Sequence, residues 1–213
     1  MHYKELEVLN LRTDPPMKTN LYLFEYKGKV NLIDAGFSDN SEVVDVIQEK
    51  FGRLDNLFIT HGHFDHIAGI DVLMERFPNL NCHIHENAFD FLINSDYSLS
   101  GYFNADFRVS DEHIKNIHKF KDSEIMDGIR SIYTPGHTIG CSSFLIEEHG
   151  ICFTGDVLFE NTYGRTDLPT GDPGLIKESL SRLGNLNPET IIYPGHGKSS
   201  LLKDIDISGF IFD

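Results

Sequence analysis

The segment THGHFDH, residues 60–66, places three histidines and an aspartate within six consecutive positions. These residues, His61, His63, Asp65 and His66, directly follow the apolar run LDNLFI. Imidazole nitrogens and carboxylate oxygens are ligand atoms that zinc binds in proteins. The segment therefore predicts half of a metal site at the end of a buried strand.

Three further apolar runs end in short turns that deliver side chains of the same kinds. IRSIYTPGH delivers His137, ICFTGD delivers Asp156, and TIIYPGH delivers His196. Glycine in each turn lets the backbone bend sharply where a strand stops. If these runs are neighbouring strands of packed sheets, their carboxyl ends meet at one edge, and all seven side chains can converge there.

Seven ligands suit two ions, because a catalytic zinc ion uses about three protein ligands and keeps one position open. We expect one group of three for each ion and one carboxylate between them: His61, His63 and His137; Asp65, His66 and His196; and the bridging Asp156. Two such ions roughly 3.5 to 4 Å apart would share a water, lower its pKa towards about 7 and polarise a carbonyl oxygen. This predicts hydrolysis without a serine or cysteine nucleophile, with Asp65 and Asp156 as the catalytic carboxylates.

The elements that must position these residues alternate between buried strands and amphipathic helices. KVNLID, NLFIT and NCHIHE are typical of strands, whereas SEVVDVIQEKFG, HIAGIDVLMERFP and the shorter NAFDFLI predict helices. The histidine-rich segment thus occupies a strand-to-helix turn. Residues 95–110 form a polar and aromatic loop without a regular pattern, and function often lies on such loops.

Other candidate side chains have simpler explanations. His83 and His85 repeat the two-residue spacing, but isolated histidines are usually core or surface residues. The three cysteines share no CxxC spacing and predict free thiols in the core. Asp34 in LIDAG either orients a ligand histidine or caps the following turn, and the sequence leaves both roles open.

Composition excludes several classes of protein. The 213 residues carry a formal net charge of -15, which opposes binding to nucleic acid. No stretch approaches the roughly 18 apolar residues of a membrane helix, and MHYKELEVLN lacks the order of a signal peptide. We expect one cytoplasmic domain over residues 1–213, without a nucleic-acid or membrane partner; the oligomeric state stays open.

The motifs THGHFDH, PGHT, TGD and PGH together resemble the metallo-β-lactamase superfamily, over nearly the whole chain. This resemblance implies the α/β class and a four-layer αββα sandwich, with the metal site at one edge of the β-sandwich. GDVLFENTYGRTDLPTGD and YPGHG are similar to short glyoxalase II-like hydrolases of bacteria. That likeness implies two divalent ions, zinc first and iron or manganese as alternatives, and a thioesterase that cleaves a small acyl thioester. True β-lactamases usually differ at His66 and often at Asp156, and flavodiiron proteins differ at His63, so neither branch is expected.

The same likeness suggests residues that bind the substrate. Arg165 stands near the position of a basic residue that meets glutathione in glyoxalase II, and Tyr163 is expected to line the pocket. Alternatively, Arg165 pairs with Asp167 at the surface and Tyr163 simply packs. A full glyoxalase II continues after its last histidine into a helical domain, whereas seventeen residues follow His196 here. A different acyl thioester or a lactone is therefore an alternative substrate.

Two other functions remain open at this stage. GRTD also occurs in persulfide dioxygenase-like relatives, whose single iron is held by the equivalents of His61, His137 and Asp156. Those relatives usually carry alanine at the position of Gly195, and this chain keeps every ligand of the second ion. The third alternative is a metal-binding protein without turnover, against which the open coordination positions and the loop at 95–110 argue. A binuclear metal hydrolase is the leading prediction.

Overall fold

The first of two six-stranded sheets is built from the amino-terminal half of the chain. The computed structural model describes residues 5–13, 17–37 and 41–212. The strands of this sheet lie in chain order: β1 (Leu9–Arg12), β2 (Asn20–Tyr26), β3 (Lys29–Ile33), β4 (Asn56–Ile59), β5 (Asn81–His85) and β6 (His118–Phe120). β1 to β3 pair antiparallel, whereas β3 to β6 pair parallel. The parallel part requires crossover connections, which helices supply.

The second sheet is formed by the carboxyl-terminal half. Its order also follows the chain: β7 (Ile125–Met126), β8 (Ile129–Tyr133), β9 (Ser142–Ile146), β10 (Ile151–Gly155), β11 (Ile191–Pro194) and β12 (Ser200–Leu201). Its neighbouring strands are antiparallel except β10 and β11, which are parallel. Consequently β8, β10 and β11 all run in the same direction.

In the described parts of the chain, six α-helices connect and cover the sheets: α1 (Ser41–Lys50), α2 (Phe64–Ile67), α3 (Ile70–Arg76), α4 (Ser95–Ser98), α5 (Pro173–Gly184) and α6 (Ile207–Phe212). α5 shows why such a segment becomes a helix. Asp172 caps it by accepting hydrogen bonds from the backbone of Gly174 and Leu175, and Pro173 occupies its first turn, where a missing N–H costs nothing. Short 3₁₀ turns lie at Glu86–Leu92, Ser100–Phe103, Ile114–Asn116, Glu147–His149 and Leu202–Asp204.

The fold has four layers of secondary structure: helices, the first sheet, the second sheet and further helices. Buried side chains fill the three spaces between them. Aromatic residues of both sheets fill the central one, where the rings of Phe58 and Phe144 lie 5.2 Å apart. α1 and α3 bury Ile47 and Leu73 against the first sheet, and α5 buries Leu180 against the second. The α/β class and the four-layer αββα sandwich expected from the sequence are confirmed.

Local predictions agree less completely. The helix expected over residues 66–78 is divided, because α2 ends before Gly69 and α3 begins at Ile70. The segment NAFDFLI forms a 3₁₀ helix over Glu86–Leu92, and the loop at 95–110 contains α4 and a further 3₁₀ turn. The three cysteines are buried free thiols, as predicted. Within the described ranges, no helix is long and apolar enough to cross a membrane.

The aromatic layer between the sheets generates a prediction about stability. Phe144 is fully buried and its ring contacts Phe58 and Phe120, so Phe144→Ala would leave a cavity where the sheets meet. We expect the free energy of unfolding to fall by about 3 to 5 kcal/mol, measured by urea denaturation. Ile125→Ala serves as the control, because Ile125 is 70% exposed and its loss should cost about 0.5 kcal/mol or less. Equal losses for the two variants would contradict the proposed packing.

Candidate metal centre

The predicted ligand residues converge at one edge of the two sheets. Residues 61–66 follow β4 of the first sheet, while His137, Asp156 and His196 follow β8, β10 and β11 of the second. Because those three strands run in the same direction, their carboxyl ends lie at the same edge. The sequence pattern of an apolar run ending in a ligand thus corresponds to one place in the fold.

Backbone hydrogen bonds join the two sheets at this edge. The N–H of Ser142 donates to the carbonyl of Thr60 (2.8 Å), and the N–H of Asn20 donates to the carbonyl of Gly195 (2.7 Å). Each bond links a strand of one sheet to a turn that follows a strand of the other. The two halves of the ligand set are therefore held at a defined separation.

The first group of ligands consists of His61, His63 and His137. All three are buried, and their ring nitrogens lie within 4.8 Å of one another. Nδ1 of His63 is 3.1 Å from Nε2 of His61 and 2.9 Å from Nε2 of His137. Burial and the neighbouring His137 lower the pKa of His63 to about 3, and burial also lowers the pKa of His61 and of His137. These imidazoles are thus neutral at physiological pH, as metal ligation requires.

The second group consists of Asp65, His66 and His196. Oδ2 of Asp65 is 3.4 Å from Nε2 of His66 and 3.2 Å from Nε2 of His196. Burial disfavours the charged form of all three groups. The attraction between the carboxylates and the histidines outweighs this effect. The pKa of Asp65 falls to about 2, that of His66 rises to about 9, and that of His196 rises to about 11. The carboxylates attract positive charge here, which protons or a divalent cation can supply.

Asp156 lies between the two groups. Its Oδ2 is 3.4 Å from Nε2 of His196 and 3.8 Å from Nε2 of His137, and its Oδ1 is 3.6 Å from Nε2 of His66. Burial alone would raise the pKa of Asp156, but the histidines led by His66 and His196 hold it well below the usual range. A carboxylate in this position can contact ions held by either group.

Unpartnered polar atoms test whether these residues fit metal ions. Nε2 of His63, Nε2 of His66 and Oδ1 of Asp156 are buried without a hydrogen-bond partner. Buried polar atoms without partners are costly and therefore rare in folded proteins. Nε2 of His66 and Oδ1 of Asp156 lie 3.6 Å apart, where a divalent ion would satisfy both, whereas His63 faces its group through Nδ1. The residues present fit divalent metal ions.

Residues outside the ligand set orient several of its members. Oδ2 of Asp34 lies 2.7 Å from Nδ1 of His66, and the same carboxylate accepts hydrogen bonds from the N–H and hydroxyl of Thr60. The sequence left two roles open for Asp34. Its contact with His66 corresponds to the first of them, the orientation of a histidine. Nδ1 of His137 lies 2.8 Å from the carbonyl oxygen of Arg165. Such contacts fix the ring orientation of metal-binding histidines.

Sequence reasoning missed Thr19. Its hydroxyl donates a 2.7 Å hydrogen bond to Oδ2 of Asp65, from a position 46 residues earlier in the chain. Thr19 lies in no recognisable motif. It reaches the site because β2, which begins at the next residue, passes beside the site. Thr60, in contrast, stands inside the histidine-rich segment, where its hydroxyl lies 3.1 Å from Nδ1 of His61.

The second group has room at the site because residue 195 is a glycine and carries no side chain. A Cβ atom at Gly195 would overlap Oδ1 of Asp156 and would lie 2.7 Å from Cε1 of His66. Both atoms belong to candidate ligands, so glycine is required by close approach rather than by a turn.

A cavity of about 560 Å³ opens above the cluster. His63, Asp65, His137, Asp156 and His196 contribute to its lining, and so does Arg165. The guanidinium of Arg165 forms two hydrogen bonds of 2.7 Å with the carboxylate of Asp167, so the pairing considered from the sequence is present.

Other sequence candidates lie outside this cavity. The ring of Tyr163 packs on Phe210, with centroids 5.6 Å apart, and is not part of the cavity lining. His83 stacks on Phe58, and His85 stacks on Tyr133. These residues therefore have packing roles in the fold.

Comparison with known proteins agrees with the fold and the site. The chain belongs to the metallo-beta-lactamase superfamily, whose family model matches residues 14–196. A probable metallo-hydrolase of Streptococcus pyogenes is 32% identical over 86% of this chain and 81% of its own length. The hydroxyacylglutathione hydrolase GloC of Haemophilus influenzae is 33% identical over 78% of this chain and 79% of its own length. A structure of TTHA1623 in a di-iron-bound form has a TM-score of 0.81 at 28% identity and covers 92% of this chain and 96% of that chain. With its histidine and aspartate cluster, the chain is a metal-dependent hydrolase of this superfamily.

The carboxylate behind His66 generates a prediction about metal affinity. Asp34→Asn keeps a residue that tolerates the left-handed backbone at this position (φ 63°) but removes the charge that orients His66. We expect affinity for zinc to fall by about 10 to 100-fold, measured by competition with a chelator. The control is Asp71→Asn, because Asp71 makes a similar 2.6 Å contact with His113 away from the cluster. A similar loss of affinity in both variants would contradict the role assigned to Asp34.

Gly195 generates a second prediction. In Gly195→Ala, the added methyl group must displace the carboxylate of Asp156 or the ring of His66. We expect the purified variant to retain about one metal equivalent fewer than the wild type, measured by elemental analysis after desalting. Gly101→Ala is the matched control, since a Cβ there meets no atom within 4 Å. Unchanged metal content in Gly195→Ala would show that the second group does not hold an ion.

Proposed function

We propose that this chain is a binuclear hydrolase that cleaves a small acyl thioester to a carboxylic acid and a thiol. The observation that carries this proposal is the cluster of seven candidate ligands, five of which line a substrate-sized cavity. Similarity to a hydroxyacylglutathione hydrolase over most of both chains supports the choice of a thioester. The buried free thiols fit a reducing compartment, and we place the reaction in the cytoplasm.

Water is the nucleophile in this proposal, because none of the described residues at the cavity offers an activated nucleophilic side chain. Burial raises the pKa of Cys141 and of Cys152 to about 12, and it also raises the pKa of Cys82, so the thiols stay protonated. Ser98 lines the cavity, but its hydroxyl donates to Ser100 and to the backbone of Ser95 rather than to a histidine. An acyl-enzyme route is therefore not proposed.

The metal ions supply the central chemistry when bound, since divalent ions acidify water and polarise carbonyl oxygens. His61, His63 and His137 would hold one ion, Asp65, His66 and His196 the other, and Asp156 both. Asp65 reaches the cavity while Thr19 fixes one of its oxygens, so the carboxylate is positioned to accept a hydrogen bond from the attacking water. Zinc is the first choice of metal, with iron or manganese as alternatives.

Metal analysis combined with a thioester panel tests the proposal. Protein purified without chelator should contain about two divalent ions and should hydrolyse one or more acyl thioesters, with thiol release followed by a colorimetric reagent. Removal of the ions should abolish turnover, and their return should restore it. One iron with oxygen uptake on a persulfide would instead establish the dioxygenase alternative, and turnover of lactones alone would establish a lactonase. Metal binding with no turnover on any of these would indicate a binding protein.

The position of Asp156 between both groups generates a prediction about activity. Asp156→Asn weakens the hold on both ions, so we expect kcat/KM to fall by more than about 100-fold and by more than for any single change of a histidine to alanine. His118→Gln is the control, because His118 is an exposed histidine outside the cluster. Thioester turnover, with two equivalents of metal added to each variant, is the measurement. A smaller loss for Asp156→Asn than for His137→Ala would contradict a bridging role.

A further inference from the structure

One side of the cavity is apolar. This surface, called the apolar wall below, consists of Met17, Phe64, Leu99, Tyr102, Phe103 and Leu168. The same cavity reaches His63, Asp65, His137, Asp156 and His196. A substrate whose reacting carbonyl lies at the metal centre must therefore place its remaining atoms next to apolar side chains.

The backbone at Leu99 is held in an unfavourable conformation. Leu99 has φ 65°, a left-handed geometry that bulky residues rarely adopt. Its two neighbours, Ser98 and Ser100, are fully buried, and their hydroxyls form a 3.2 Å hydrogen bond with each other. These buried contacts keep Leu99 at the cavity. Backbone strain of this kind persists where a side chain must occupy a defined position, and it is concentrated at functional sites.

The apolar wall is packed before any ligand arrives. The ring of Phe103 contacts Phe37 and Phe64, with centroids 5.6 Å and 5.9 Å apart, and Phe64 in turn contacts Phe107 at 5.2 Å. Tyr102 is 79% exposed and extends the wall towards the opening. A preformed apolar surface binds apolar groups without an ordering cost.

Apart from the metal ions that the proposed function requires, the charged side chains lining the cavity give an anionic substrate little attraction. Among the described residues that line it, Arg165 is the one with a permanent positive charge, and both of its hydrogen bonds to Asp167 are 2.7 Å long. Asp167 also lines the cavity, so the pair contributes no net charge. A carboxylate of the substrate would have to compete with Asp167 for the guanidinium.

We propose that the site selects thioesters carrying a neutral apolar group and that the Arg165–Asp167 pair disfavours anionic thiols such as glutathione. This inference rests on the proposed thioesterase function and specifies its substrate class. The apolar wall supplies the attraction, and Asp167 withholds the cation that an anionic thiol would need.

Chain length tests the contribution of the apolar wall. Hexanoyl-N-acetylcysteamine should be hydrolysed by the metal-loaded protein with a kcat/KM at least tenfold above that of acetyl-N-acetylcysteamine, since each buried methylene is worth up to about fourfold. Leu99→Asn keeps a residue suited to the left-handed backbone but makes it polar, and it should reduce this ratio by about three- to tenfold. Ile125→Asn is the matched control, an exposed apolar residue changed in the same way outside the cavity, and it should leave the ratio unchanged. No preference for the longer chain, or the same ratio in Leu99→Asn and the wild type, would overturn the inference.

The charge of the thiol tests the role of the ion pair. S-hexanoylglutathione and hexanoyl-N-acetylcysteamine share the acyl group but differ in net charge, and the wild type should prefer the neutral one. Asp167→Ala frees Arg165, so the ratio of kcat/KM for the anionic over the neutral thioester should rise by about three- to tenfold. The double variant Arg165→Ala with Asp167→Ala should return the ratio to the wild-type value. A lower ratio in Asp167→Ala would overturn this part of the inference.

Binding of analogues that cannot be hydrolysed separates this inference from the thioesterase proposal. S-hexyl-N-acetylcysteamine should bind the metal-loaded protein at least tenfold more tightly than S-methyl-N-acetylcysteamine and more tightly than S-hexylglutathione, measured by calorimetry. If these preferences hold but no thioester is turned over, the thioesterase proposal fails and the apolar selectivity stands. If thioesters are cleaved but neither binding nor turnover depends on chain length, the selectivity alone fails.

Discussion

The burial of four imidazoles and two carboxylates, beside the partly exposed imidazole of His196, at one edge of a β-sandwich is the constraint on which the rest of this structure depends. Removing such groups from water is costly unless each finds a partner. The fold meets this requirement with an outer set of fixed contacts: Asp34 holds His66, Thr19 holds Asp65, and the carbonyl of Arg165 lies against His137. These contacts leave the inner atoms directed at one another. Among the buried atoms without a partner, Nε2 of His66 and Oδ1 of Asp156 lie where a metal ion would satisfy them.

The same constraint explains why the fold and the location of the site were accessible from the sequence. Apolar runs that end in a glycine-containing turn with a ligand-type residue occur at β4, β8, β10 and β11, and β8, β10 and β11 run in the same direction within the second sheet. Family resemblance then supplied the sandwich architecture. Helix boundaries were harder to predict. The helical spacing of apolar residues continues through Gly69, but the helix is interrupted there.

Contacts between distant parts of the chain were not accessible from the sequence. The pairing of Thr19 with Asp65 depends on how β2 passes the site, and neither residue signals the other. Tyr163 illustrates the converse, since it stands beside a catalytic-looking motif but packs on Phe210 of α6. The ion pair of Arg165 and Asp167, one of the two roles that the sequence left open for Arg165, is present, and Arg165 also lines the cavity. Motifs therefore located the side chains that converge, whereas the residues that support them or line the cavity depend on tertiary packing.

Because the candidate ligands come from both sheets, we expect metal binding and sheet packing to be coupled. The first sheet contributes residues 61–66, and the second contributes His137, Asp156 and His196. Backbone hydrogen bonds, such as that between Ser142 and Thr60, join the two sheets at this edge. The carboxylates around His66 and His196 raise the pKa of both histidines. An ion shared by ligands of both sheets adds a further connection at the same place, and a ligand that binds only the folded state stabilises that state by mass action. Metal affinity is then set partly by how well the two sheets already fit together, so residues of the central aromatic layer influence the site without touching it.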